Sequence, residues 1–268
     1  MTLPTWPSHQ PWPDASPPLL TVAADVATIT LNRPAHRNRL HDEDLRTLLQ
    51  QFEAVNDDPQ VRVLVLTART LPTARVFSAG YHIGEFNEQG HAPMAFEQVP
   101  DALARVRALT VCALSGSVFG GATDLALACD FRIGVEGMEL RMPAAALGLH
   151  YYPSGLRRYV ARLGLGATRR LFLLAEATPA AELLAMGYLD RLVAPDALPT
   201  AVAEWADRAA AMAPLALQGM KQTIQEIAWG EDKLADWRSR EALTQGSRDF
   251  AEGRTAFAER RAPVFTGR

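Results

Sequence analysis

The run Ser115–Asp130, SGSVFGGATDLALACD, sets two adjacent glycines between a strand end and a helix start, with Asp124 one turn into the helix. Gly120-Gly121 lets backbone N–H groups approach a ligand with no side chain between. Asp124 stands among Ala122, Leu125, Ala126, Leu127 and Ala128, and a carboxylate in such a segment needs a partner or a tuned pKa. Alone, the pattern is either an anion-binding turn with an acid/base beside it or a helix start carrying a dipole-complementing aspartate. A second stretch, RVFSAGYHIGEF (Arg75–Phe86), follows the apolar run Val61–Ala68, which reads as a buried parallel strand. Ser78-Ala79-Gly80 makes another tight turn of small residues, and the short amphipathic pattern Tyr81, Ile83, Phe86 follows. Two glycine-gated turns, each leaving a strand and opening a helix, can aim two N–H donors at one oxygen. That is the geometry of an oxyanion hole.

The elements that must hold these turns alternate between β-rich and helical runs. Leu19–Ala23 and Val26–Leu31 read as a hairpin around Ala24-Asp25, closed by Asn32-Arg33-Pro34. Leu45, Leu48, Leu49, Phe52 and Val55 give a helical stripe that Asp57-Asp58-Pro59 ends. Strands are expected at 61–67, 110–115 and 130–135, with helical stretches within 93–108 and over 120–129. This is α/β layering with buried parallel strands. From Pro179 onward the chain is mainly helical: 180–186, 198–212, 214–229 and 233–246.

Composition narrows the class. The chain has 268 residues, 27 Lys+Arg against 30 Asp+Glu and a net charge of −3, which points away from nucleic acid as the main partner. Its two cysteines, Cys112 and Cys129, lie in apolar runs and read as buried reduced thiols of a cytoplasmic protein. No apolar run reaches membrane-spanning length. The first 18 residues hold six prolines and two tryptophans, Trp6 and Trp12, with no basic start or apolar centre; this is no signal peptide but an extended surface arm or a disordered tail, and the tryptophans favour an arm that packs.

Other motifs fail. Gly116 and Gly121 have P-loop spacing, but Ala122-Thr123 replaces the Lys-Ser/Thr pair. Gly164-Leu165-Gly166-Ala167 lacks the third glycine of a dinucleotide fingerprint. There is no HExxH, no Cys/His cluster with zinc spacing and no G-x-S-x-G elbow, so neither a metal site nor a serine hydrolase is expected.

Four segments in order, ITLNRPAHRNRL (Ile29–Leu40), FSAGYHI (Phe77–Ile83), SGSVFGGATDLALACDFRI (Ser115–Ile133) and EGRTAFAERRAPVF (Glu252–Phe265), resemble the crotonase (enoyl-CoA hydratase/isomerase) superfamily. The resemblance covers roughly residues 19–268. It implies an α/β fold with a ββα spiral core over 19–195, a Pro-rich arm over 1–18 and a C-terminal helical oligomerisation region over 196–268. It also implies a homotrimer or dimer of trimers acting on an acyl-CoA thioester, with coenzyme A as part of the substrate and no permanently bound cofactor.

Carried over residue by residue, the resemblance makes the backbone N–H groups of Tyr81 and Gly121 the oxyanion donors, although Tyr81 also reads as an aromatic core or pocket-wall residue. Hydratases of the family place one glutamate on the helix after the second turn and another about twenty residues later. Here Asp124 takes the first position and Ala144, which cannot titrate, takes the second. That leaves Asp124 an unpaired acid/base, and it favours isomerisation or another proton transfer over hydration, which wants two carboxylates. His150 and Tyr151 are candidate auxiliary groups for a hydrolase or decarboxylase on the same fold, while His82 reads as pointing outward. Arg39, Ala79, Phe257 and Arg260 are the candidate coenzyme A contacts, with Arg260 suited to phosphate; the AFAERR segment also reads as an ordinary basic helix end. A member that has lost activity and serves as a binding or assembly subunit is the reading of a different class.

Overall fold

β1 (Leu19–Ala23) and β2 (Val26–Leu31) form the expected antiparallel hairpin, with Ala24 at φ +53 in its turn. The computed structural model describes residues 16–85 and 94–268, so most of the Pro-rich arm, with Trp6 and Trp12, and Phe86 lie outside the described residues. After β2 come α1 (Asp42–Asp57), β3 (Val63–Ala68), β4 (Val76–Ser78), α2 (Gln98–Ala104), β5 (Leu109–Leu114), β6 (Ser117–Phe119) and α3 (Gly121–Leu127). Then follow β7 (Phe131–Val135), β8 (Glu139–Arg141), α4 (Pro153–Arg169), β9 (Thr178–Pro179), α5 (Ala180–Ala185) and β10 (Arg191–Val193). The chain ends in α6 (Leu198–Ala210), α7 (Pro214–Ala228), α8 (Leu234–Gln245) and α9 (Arg248–Glu259).

Two sheets result, ordered β1-β2-β3-β5-β7-β10 and β4-β6-β8-β9. From β2 to β10 the first sheet is parallel. Its strands read as continuous apolar runs because both faces are covered: every residue of β3 is buried, and every residue of β5 except its first. Each of β3, β5 and β7 leaves the first sheet, enters the second as β4, β6 or β8, and then runs into helix. This is the ββα winding of the expected spiral core. It carries the carboxyl ends of β3 and β5 into the two glycine turns.

The helical stretch expected within 93–108 is only Gln98–Ala104. Arg107 ends it by turning away: its amide donates to Asn56 Oδ1 at 2.8 Å and its guanidinium to the carbonyls of Asp58 and Val61 at 2.7 and 3.1 Å. The side chain thereby satisfies carbonyls just beyond α1. α3 is locked from below by Arg132, whose guanidinium donates to the carbonyls of Cys129 and Tyr188 and to Asp190, while the Tyr188 hydroxyl donates to the Thr123 carbonyl at 2.7 Å. Cys112 on β5 and Cys129 just after α3 are free, buried thiols, and burial pushes the Cys112 thiol well up.

α6 lies on the first sheet against β3, β5 and β7. In the later helices Glu226 of α7 accepts from Trp237 Nε1 at 2.9 Å and from Arg240 at 2.6 and 3.0 Å, which ties α7 to α8. Arg240 holds that carboxyl down at about 2. The tail returns to the body: Asp249 accepts from the amides of Thr266 and Gly267, and Arg62 donates to the carbonyls of Ala210 and Phe265. Met220, Ile224, Ile227 and Leu243 are exposed on α7 and α8. Among the described residues no helix is long and apolar enough to cross a membrane.

Candidate active site

The first turn is built by the segment after β2. Asn38, held at φ +48, donates its side-chain amide to the carbonyls of Arg69 and Val76 and accepts from the Arg33 amide. The Ser78 hydroxyl donates to the Asn38 carbonyl at 2.7 Å, and the Gly80 amide donates back to Ser78 Oγ at 3.1 Å. Leu40 then pairs with Tyr81 as in a parallel ladder: the Leu40 amide donates to the Gly80 carbonyl and the His82 amide to the Leu40 carbonyl. That alternation turns the Tyr81 N–H to the side away from Leu40. The Tyr81 hydroxyl donates to Asp42 Oδ1 at 2.5 Å, which fixes the ring.

The second turn meets the first. Gly80 has φ +86, and a β-carbon built on it would stand 2.7 Å from the Phe119 carbonyl oxygen and 3.0 Å from the Gly121 nitrogen. Gly121 is the first residue of α3, where a backbone N–H has no partner within its own helix. The two turns expected to supply donors are therefore in contact. The Phe96 ring occupies the space beside Gly121, with its centroid 5.7 Å from Tyr81 and 6.3 Å from Tyr152.

Asp124, expected as an acid with no second carboxylate at position 144, has a cation and a phenol as partners. It is fully buried and accepts from Arg158 Nη1 at 2.8 and 3.0 Å and from the Tyr152 hydroxyl at 2.6 Å. Arg158, 1% exposed, reaches from α4 to Asp124 on α3 and with Nη2 to Asp101 on α2 at 2.6 Å. Burial pushes the Asp124 carboxyl up, and Arg158 and Tyr152 oppose that rise. The pairing has a simple cause: an apolar helix cannot hold a bare carboxylate, and the cation that answers it lies 34 residues further on.

Tyr151 is buried and donates its hydroxyl to the Tyr152 oxygen at 2.8 Å, with the two rings stacked at 4.1 Å. Tyr152, a pocket-wall residue by sequence like Tyr151, also donates to Asp124, a bond the sequence does not announce. Arg158, beside Leu156 and Tyr159 on an amphipathic helix, was the available signal that a buried acid and its neighbours lay opposite. His150 is exposed, and its Nδ1 lies 2.8 Å from the Tyr151 carbonyl, so it is not brought into the Asp124 network. His82 packs edge-on against His41 at 4.8 Å. Ala144 is buried beside the single turn Ala145–Leu147.

Among the candidate coenzyme A contacts, Ala79 sits in the first turn with its amide on the Arg37 carbonyl at 2.8 Å. Arg39 is half-buried, and its Nε is buried without a hydrogen-bond acceptor among the described residues. Phe257 is 87% exposed, and Arg260 caps α9 in the left-handed region at φ +54. Among the described residues no hydrogen bond or ring contact joins Phe257 or Arg260 to the two turns.

Residues 21–268 match the family model described as enoyl-CoA hydratase/isomerase. The chain belongs to the enoyl-CoA hydratase/isomerase family. Within it the chain is 30% identical over 249 residues to 2,3-dehydroadipyl-CoA hydratase of Escherichia coli (strain K12), covering 91% of this chain and 96% of that one. It is 26% identical to methylmalonyl-CoA decarboxylase of the same organism, over 90% and 95% of the two chains. A solved structure of a putative enoyl-CoA hydratase/isomerase family protein from Hyphomonas neptunium superposes with a TM-score of 0.86 at 29% identity, over 94% and 98% of the two chains. The fold is thus the crotonase fold. Relatives of this family member carry both hydratase and decarboxylase names, so family membership leaves the reaction to be argued from the site.

Proposed function

We propose that the protein binds an acyl-CoA thioester and moves a proton at its α-carbon, with the thioester enolate held by the amides of Tyr81 and Gly121. The contact between Gly80 and Gly121 carries this reading, because it brings together the two turns whose amides would meet one oxygen. Each such donor is worth about 10²–10³ in rate against a developing oxyanion. Asp124 is the titrating group one helical turn from the second donor. With Ala144 at the other acid position, nothing there orients an attacking water, so isomerisation or a related proton transfer fits better than hydration. A second reading, decarboxylation, draws support from the Tyr151–Tyr152 pair beside Asp124: loss of carbon dioxide leaves the same enolate, which then needs a proton donor. The named decarboxylase relative supports it too.

The protein is expected to exchange α-protons of a bound acyl-CoA for deuterium and to hydrate crotonyl-CoA slowly, since the missing acid/base assistance is commonly worth about 10²–10⁴. Asp124→Asn should abolish the exchange and leave thioester affinity nearly unchanged. Rapid hydration by the wild type, or full exchange by the Asn variant, would overturn the assignment. A chain that binds thioesters but turns over none of a short enoyl-CoA panel would be the binding or assembly subunit.

Coenzyme A itself is assigned to Arg39 and Ala79 at the first turn and to Phe257 and Arg260 at the end of α9. The Arg39 Nε, which has no acceptor among the described residues, and the exposed Phe257 support this assignment. Arg260→Ala should weaken thioester binding by about 1–3 kcal/mol, read by calorimetry against the free acid. We assign the exposed apolar side chains of α7 and α8 to the subunit interface of a trimer or dimer of trimers.

A further inference from the structure

We infer that Tyr152 is the group that exchanges the proton with the α-carbon, and that Asp124 stands behind it as the far end of a two-bond relay. The inference rests on the proposed enolate chemistry and assigns its proton path. A phenol oxygen has one hydrogen to donate and two lone pairs to accept with. In Tyr152 the hydrogen goes to Asp124 Oδ2 at 2.6 Å, and one lone pair takes the Tyr151 hydroxyl at 2.8 Å. One acceptor position is left for a substrate proton. Asp124 has no such vacancy toward substrate: it is fully buried, and both oxygens already accept from Arg158. Tyr152 is half-buried and shares the Phe96 ring with Tyr81 and Gly121.

The packing is built for this convergence. A β-carbon on Gly155 would stand 2.5 Å from Tyr151 Cε1, 2.6 Å from Tyr152 Cε2 and 3.0 Å from Asp124 Oδ2. Only a glycine at that point lets both rings and the carboxylate meet. Asp124 is three residues after Gly121 on α3, a rise of about 4.5 Å along the helix, so the relay ends within one turn of the oxyanion donor.

In the step, the α-carbon–hydrogen bond breaks and its proton passes to the Tyr152 oxygen. Together with it, the Tyr152 hydroxyl proton passes to Asp124 Oδ2. The electron pair enters the thioester enolate, whose oxygen takes the negative charge that leaves the carboxylate. The reverse movement returns the proton to carbon. No phenolate forms beside a carboxylate, an arrangement that burial and the Asp124 charge both oppose by pushing the Tyr152 hydroxyl well up. Arg158 stays protonated throughout and holds Asp124 in line.

The test is α-proton exchange in deuterium oxide, followed by NMR on the acyl-CoA that the wild type exchanges fastest, with thioester affinity measured alongside. Tyr152→Phe keeps the ring and removes the hydroxyl. It should lose at least about a hundredfold in exchange with affinity within about twofold, and Asp124→Asn should match it. Tyr152→Phe exchanging at the wild-type rate while Asp124→Asn is silent would overturn the relay and leave Asp124 acting directly. Equal loss of exchange and of affinity in Tyr152→Phe would also overturn it, by making the ring a binding wall. A wild type that exchanges no acyl-CoA defeats the broader functional reading and the relay with it.

Discussion

Gly80→Ala is expected to lose about 10²–10³ in turnover, the effect of removing one oxyanion donor outright. Two separate strains meet at this residue. Its φ of +86 is a conformation L side chains rarely adopt, and the left-handed region costs a residue with a β-carbon roughly 1–2 kcal/mol. The new methyl group would also stand 2.7 Å from the Phe119 carbonyl oxygen and 3.0 Å from the Gly121 nitrogen. Both are main-chain atoms, so no rotamer change relieves the contact. The turns must move apart, and the two amides move with them. Thioester affinity should fall much less than the exchange rate, because only the enolate needs both donors at once. A Gly80→Ala enzyme that exchanges α-protons at the wild-type rate would show that the contact between the turns has no part in catalysis.

Arg158→Met is expected to give the largest loss of stability, about 3–5 kcal/mol by urea denaturation. The guanidinium is the counter-ion of a fully buried carboxylate and of Asp101, and it joins α2, α3 and α4 at one point. Methionine refills its stem but leaves Asp124 uncompensated. The pH dependence has a definite sign. Burial raises the Asp124 carboxyl above its ordinary 3.8 in the folded protein. Between that value and the raised one the folded state binds the proton and the unfolded state does not, so this group's contribution to stability falls as pH rises through the window. Removing Arg158 takes away the largest opposing influence and widens the window upward. The deficit of the variant should therefore be greatest near neutrality and shrink as pH falls through the raised value, where Asp124 takes up its proton. A deficit under about 1 kcal/mol, or one indifferent to pH, would show that the ion pair is not what stabilises these helices.

What was legible in the sequence and what was not divide along a physical line. Strands β3 and β5 are near-continuous apolar runs, and the turns are marked by glycines that sterics require, so both could be read locally. Gly121 as the first residue of α3 and the hairpin around Ala24 follow from the same local rules. Long-range pairing was not legible. Nothing near Asp124 announces Arg158, 34 residues away, or the hydroxyl of Tyr152, 28 residues away. Asn38, which stitches the first turn to the segment after β2, likewise reaches Val76, 38 residues on. His150 and Tyr151 looked equivalent as neighbours in sequence, yet the start of α4 turns one side chain outward and the other in. Only packing separates them.

The buried thiols of Cys112 and Cys129 give the molecule a built-in reporter of its own opening. Cys112 lies on strand β5 and Cys129 follows α3, and both are buried in the core. A hidden thiol reacts with an alkylating reagent only after its cover has lifted. Labelling in native buffer therefore counts the events in which β5 and the end of α3 come apart. Because the sulfurs sit on β5 and behind α3, that rate separates a variant that has loosened the scaffold from one that has lost only its chemistry.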